Sequence, residues 1–120
     1  MTYVDGFVAS VPKERKQEFI EHAEAVAKVF LDHGCLRHVE AWEDDVPDGE
    51  LTSMPLAVKR EAGEAIIFSW LEWPSKEVRD QAMKSAMDDP RMKDEKIANM
   101  PFDGKRMIMG GFSPVLDRSR

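Results

Sequence analysis

The sequence is short of positive charge. Seventeen Lys and Arg stand against 23 Asp and Glu, a net charge of −6 at pH 7. A non-specific nucleic-acid binder needs a basic face to neutralise phosphates, so nucleic acid is not an expected partner. Cysteine is nearly absent, and the single Cys35 excludes an intramolecular disulfide framework. No apolar run approaches the ~18 residues of a membrane span. The start, Met1-Thr2-Tyr3-Val4-Asp5, lacks the basic n-region and apolar core of a signal peptide. A cytoplasmic protein with no membrane contact is therefore expected. Phosphate-cradling Gly-rich loops, nucleophile elbows and HExxH motifs are also missing. Gly110-Gly111 falls within a strand-like segment, away from any strand-to-helix turn, so it is no dinucleotide fingerprint. His22, His33, Cys35 and His38 do not repeat with zinc-ligand spacing. No cofactor and no metal site are expected.

What remains is a chain of 120 residues, 42% hydrophobic and 33% charged, the size of one soluble domain. Thr2–Val11 is rich in Val, Phe and Tyr and reads as a strand. Pro12 suits a helix first turn, and Phe19, Ala23, Val26 and Phe30 then recur at helical spacing. Gly34 stands where a C-cap would be, giving a helix over about 12–33. Leu36–Trp42 reads as a second strand. Asp44–Gly63 is a long polar connection, of a length that tends to be functional or mobile. Its Asp44-Asp45-Val46-Pro47 start suggests a fixed path, pairing with a partner protomer or covering a pocket mouth. Ala65–Trp73 is apolar at nearly every position, as a strand buried on both faces would be. Ser75 is a plausible N-cap for a second helix with Val78, Ala82, Met83, Ala86 and Met87 on its apolar face. Asp89-Pro90 stops that helix and opens a short helical segment to about Asn99. Arg106–Val115 reads as a fourth strand, weakened by Gly110-Gly111.

The order β-α-β, long loop, β-α-β predicts a ferredoxin-like βαββαβ sandwich, an α+β fold occupying residues 1–120 as a single domain. Such a sheet carries helices on one face. Strands apolar on both faces then imply a second cover, most simply another copy of the chain, so a homodimer is expected.

Several strings occur together: Asp5-Gly6-Phe7-Val8; Glu40-Ala41-Trp42-Glu43-Asp44-Asp45-Val46-Pro47; Phe68-Ser69-Trp70 with Trp73-Pro74-Ser75-Lys76; Asp88-Asp89-Pro90-Arg91; and Pro101-Phe102-Asp103-Gly104-Lys105-Arg106 with Gly110-Gly111-Phe112. In this combination, spanning about Tyr3 to Phe112, the chain resembles an uncharacterised bacterial family, domain of unknown function 1428. The resemblance implies a dimeric α+β barrel, two ferredoxin-like protomers packed sheet to sheet. It brings no activity and no catalytic residues. The wider superfamily of that architecture includes cofactor-free monooxygenases and isomerases and often keeps a pocket between sheet and helices, but fold analogy does not choose among activities.

The residues point to one candidate site. Period-two geometry puts His38, Glu40 and Trp42 on one strand face. A His and a carboxylate two apart can share a proton, and His titrates near neutrality, which suits acid–base work. The plainer reading is that the two bond to each other or across a dimer interface, since buried polar groups are generally paired. Trp70 on the third strand and Arg106 on the fourth are the expected neighbours, Arg106 as a fixed charge for an anionic substrate. Asp5 in the first strand needs a partner, and Arg106 is a candidate for that too. The eight Met, mostly in the C-terminal half, fit core filling or an adaptable pocket. Two functions stay open: a dimer that binds a small molecule, and a cofactor-independent small-molecule enzyme of monooxygenase or isomerase type.

Overall fold

The computed structural model describes residues 2–120. Its sheet is built from β1 (Tyr3–Pro12), β2 (Arg37–Trp42), β3 (Glu64–Trp73) and β4 (Ile108–Phe112). They run in the order β2-β3-β1-β4, all neighbours antiparallel. The principal helices are α1 (Lys16–Asp32) and α3 (Lys76–Met87), with short α2 (Met54–Ala57) and α4 (Glu95–Ala98). This is the expected ferredoxin-like α+β fold, with β1 and β3 central.

Local chemistry sets the boundaries. Pro12 ends β1 instead of opening a helix, and a 3₁₀ turn over Lys13–Arg15 precedes α1. Gly34 follows α1 at φ +114°, a conformation that suits glycine. A Cβ there would also stand 3.0 Å from Val78 Cγ1 of α3. Ser75 caps α3 by accepting from the Val78 amide at 3.2 Å. Asp89 caps a 3₁₀ turn over Pro90–Lys93, and Asp94 caps α4. The segment expected as one helix to Asn99 is thus two short ones, each with its own Asp cap. The fourth strand, Ile108–Phe112, is shorter than expected at both ends, and Arg106 lies before it with side-chain partners described below.

The register assigns every strand residue to a face. Tyr3, Asp5, Phe7, Ala9 and Val11 stand opposite Trp73, Leu71, Ser69, Ile67 and Ala65. His38, Glu40 and Trp42 stand opposite Leu71, Ser69 and Ile67. All of these lie under the helices. On β3 that face is at most 3% exposed from Ala65 to Trp73. Ala9, Val11, Phe19 and Ile67 form a core at one end, and Cys35, Leu71, Trp73 and Ala82 at the other. Val29, Ala86 and Ile97 join α1, α3 and α4.

The other face has no helical layer. It presents Val4, Val8, Val39, Phe68, Trp70, Ile108 and Phe112, with Phe68 43% and Phe112 62% exposed. Within one chain β3 is therefore covered on one face along its whole length and on the other only in part. This face closes at one end, where Ser10 and Ile66 are buried. There the 43–63 connection is pinned to the sheet. Glu43 accepts from the Ile66 amide at 2.7 Å and from Arg60 at 3.1 Å, and Arg60 also reaches Asp48 at 2.9 Å. None of the residues lining the cavity described next comes from this connection, so it does not cover that cavity.

Candidate functional site

A cavity of about 120 Å³ lies between α1 and the covered face of the sheet. Its sheet wall is Phe7, Ile67, Leu71, Ser69, His38 and Glu40. Its helix wall is Phe19, His22, Ala23, Val26 and Phe30, the apolar stripe of α1, and Phe102 and Met107 close the remaining side. The lining is apolar apart from four residues: His22, His38, Glu40 and Ser69.

Their geometry follows from the strand period. His38 and Glu40 are two residues apart on β2, and His38 Nε2 donates to Glu40 Oε2 at 2.6 Å. A hydrogen bond to a carboxylate is of the short, charge-assisted kind. A carboxylate oxygen only accepts, so the proton of this bond sits on Nε2; in a neutral ring Nδ1 is then an acceptor. That Nδ1 is buried and has no hydrogen-bond partner among the described residues. The His38 side chain is 7% exposed, with Phe30 edge-on at 6.2 Å. An unmade hydrogen bond on a buried acceptor costs about 1–3 kcal/mol. Ser69 faces Glu40 across the β2–β3 ladder. His22 is fixed from the other side, its Nδ1 donating to the Lys96 carbonyl of α4 at 2.7 Å, with Phe102 edge-on at 5.8 Å.

The expected site residues thus divide. His38 and Glu40 meet in the cavity wall. Trp42 shares their face but stands one step outside, packed on Phe19 at 6.1 Å with Lys16 over its ring. Trp70 lies on the opposite face of the sheet, because β3 pairs it with Val39 and not with His38. Its Nε1 donates to Glu72 at 3.0 Å.

Arg106 is not in the cavity either. It lies in the turn before β4 and donates to both oxygens of Glu64 at 2.8 Å, to Ser10 at 3.0 Å and to the Lys59 carbonyl at 3.1 Å. Arg106 holds the buried Glu64 carboxyl at about 2, well below its ordinary value. So the charge expected to meet an anionic substrate is already spent. Nor does Arg106 pair with Asp5. Asp5 accepts from Arg79 of α3 at 2.7 Å and from Trp73 Nε1 at 2.9 Å. Asp5 faces the helices, so its partner comes from a helix. Gly111 makes room for this pair: a Cβ there would overlap Tyr3 Oη and lie 2.7 Å from Arg79 Nη2.

A second polar cluster stands apart from the cavity. His33, past the end of α1, bonds Ser85 Oγ through Nδ1 at 3.0 Å and Asp89 through Nε2 at 2.9 Å. The order Ser–His–Asp resembles a nucleophile triad. However, the Ser85 hydroxyl donates back to the Gln81 carbonyl at 3.1 Å. Arg91, followed by His33, holds the Asp89 carboxyl well below the usual range. The cluster joins the end of α1 to the end of α3. Cys35 is buried, and burial pushes its thiol up, away from a reactive thiolate. Among the described residues there is no grouping of three or more His, Cys, Asp or Glu that could hold a metal ion. No helix among them is long and apolar enough to cross a membrane.

The sequence assigns none of His22, Ser69 and Phe102 to a site, and Met107 only as one of the methionines of an adaptable pocket. His22 had a signal, since it follows Phe19 by three residues and so lies on the same helix stripe. Ser69 needed the β2–β3 register, and Phe102 and Met107 needed the path of a loop.

Known proteins agree with the architecture. The family model described as "Protein of unknown function (DUF1428)" matches residues 2–104. The "Uncharacterized protein YbaA" of Escherichia coli K12 is 54% identical over 117 residues, 98% of this chain and 99% of that one. The YbaA protein of Shigella flexneri matches at the same identity and coverage. Among solved structures, a "dimeric ferredoxin-like protein" from an uncultured marine organism superposes with a TM-score of 0.62 at 14% identity, covering 98% of this chain and 99% of its own.

Proposed function

We propose a function from this premise: the chain belongs to the DUF1428 family of proteins of unknown function. It acts as a homodimer that binds a small molecule in the cavity between the sheet and α1. The observation that carries the binding reading is the His38–Glu40 pair, set in an apolar wall with His38 Nδ1 unpartnered. Buried polar groups in folded proteins are nearly always satisfied. His38 lines the cavity, and in a neutral ring its Nδ1 would be completed by a ligand donor. The dimer reading is supported by the uncovered sheet face, where Val4, Val8, Phe68, Trp70, Ile108 and Phe112 border a groove of about 680 Å³. It also agrees with the dimeric description of the marine ferredoxin-like protein.

An enzymatic role is the second reading, and one detail favours it. An imidazole oriented by a carboxylate through one nitrogen is the arrangement of a general base acting through the other. With no resident cofactor invoked, the reaction would be a proton transfer on the bound molecule, as in an isomerisation.

The binding reading is tested by ¹³C-methyl NMR of Met107, which lines the cavity. Titration with a library of small fragments should move this resonance for at least one chemotype. If no fragment moves it, the cavity is not a binding site.

A further inference from the structure

We infer that the cavity takes a neutral, single-ring molecule carrying a hydroxyl group, of the phenol class, with its O–H donated to the His38–Glu40 pair. This rests on the cavity being a binding site, and it names what fills it. Three observations lead there.

The first is charge. Among the described residues lining the cavity there is no Lys or Arg, and Glu40 contributes a carboxylate. The cation that could have met an anion, Arg106, is spent on Glu64 at 2.8 Å. An anionic ligand would meet like charge in a space where desolvation is costly. An ammonium could face Glu40, but it would have to shed its water into an aromatic enclosure. A neutral molecule avoids both costs.

The second is hydrogen-bond polarity. Glu40 Oε2 is taken by His38, while Oε1 of the same carboxylate can only accept; His38 Nδ1 has no partner among the described residues. The pair therefore asks for a donor. A carbonyl or ether, which only accepts, leaves it unsatisfied.

The third is size and lining. A dry cavity of about 150 Å³, engineered in another protein, takes up benzene. The 120 Å³ here suits one ring and little more. Phe7, Phe19, Phe30 and Phe102 surround it. Aromatic pairs prefer edge-to-face contacts and gain from them beyond area burial, which favours an aromatic ring over an aliphatic one.

The test uses the intact protein and four probes of similar shape: phenol, toluene, benzoate and benzylamine. Affinities are read from the titration of cavity-lining resonances. Phenol should bind more tightly than toluene, and benzoate and benzylamine more weakly than both. His38→Leu should weaken phenol about 5- to 10-fold, the worth of one hydrogen bond, and leave toluene within about twofold. Glu40→Gln, which keeps the shape, checks the same loss should His38→Leu fail to fold, a point read from its circular dichroism. Tighter binding of benzoate or benzylamine than phenol would overturn the ligand class while leaving the site standing. Equal loss of phenol and toluene in the variants would overturn the hydroxyl contact. Absence of binding by all four at millimolar concentration would overturn the site itself.

Discussion

The two faces of the sheet handle polarity in opposite ways. The covered face is dry, yet Asp5, His38, Glu40 and Ser69 all project from it. The open face is wet, yet Phe68, Ile108 and Phe112 are each more than two-fifths exposed. Either pattern alone costs free energy. A polar group in a dry layer needs partners. A contiguous apolar patch in water marks a surface used for association. On the covered face Asp5 is paid back fully by Arg79 and Trp73, whereas His38 is satisfied through one nitrogen only. Comparing Asp5 with His38 separates structural polarity from polarity available to a ligand. Comparing the two faces separates the proposed ligand site from the proposed assembly surface.

The largest effect is expected on the open face. In the proposed dimer, Phe68→Asp would bury an uncompensated charge between the two sheets. That costs several kcal/mol and should weaken the dimer more than about 100-fold. Sedimentation of the wild-type protein should give about 27 kDa, twice the 13.7 kDa chain, and the variant should sediment as a single chain. Wild type sedimenting as one chain at micromolar concentration would remove the assembly half of the comparison.

Next is the buried pair of the covered face. Arg79→Leu leaves Asp5, 3% exposed, facing Trp73 alone. Breaking a buried pair in this way should lower unfolding stability by about 3–5 kcal/mol in urea titrations. A loss below ~1 kcal/mol would mean that Asp5 is not held as described.

Acid should then act through Glu64. Its folded value of about 2 lies below the ordinary 4.5, so the unfolded chain binds the proton more readily. The Arg106–Glu64 pair therefore contributes stability above about pH 4.5, and that contribution is lost as pH falls towards about 2. Urea midpoints measured across this range should fall more steeply for wild type than for Arg106→Ala. Parallel curves would contradict the pairing.

The smallest effect on stability is expected at the candidate site. Glu40→Gln changes the His38 bond from charge-assisted to neutral, a difference of about 1 kcal/mol. Its urea midpoint should stay close to wild type. A large drop would make the His38–Glu40 pair a structural element first.

These contrasts were partly legible in the sequence. Helical and strand periods announce the six principal elements and their order, because each buried face repeats its apolar residues at the spacing of its own geometry. His38 and Glu40 could be placed together because they share one strand, where parity alone assigns the face. Trp70 could not be placed, because a shift of one residue between β2 and β3 moves it to the other face. Arg106 and Arg79 show the same limit for charges. Asp5 visibly needed a cation, but which arginine reaches it depends on the packing of α3 and on the space left by Gly111. The short α2 and the anchoring of Arg60 within the 43–63 connection rest on side-chain bonds that have no period to read.

The division between the two faces can be tested in one experiment, ¹⁹F NMR of the protein carrying 5-fluorotryptophan. Trp42 packs on Phe19 at 6.1 Å and Trp73 on Phe30 at 6.1 Å, both phenylalanines of the cavity wall. Trp70 borders the groove on the opposite face. Adding phenol should shift the Trp42 and Trp73 resonances and leave Trp70 in place. Dilution through dimer dissociation should shift Trp70 and leave Trp42 and Trp73 in place. Phenol shifting Trp70 alone, or dissociation moving all three together, would contradict the assignment of ligand and partner to separate faces.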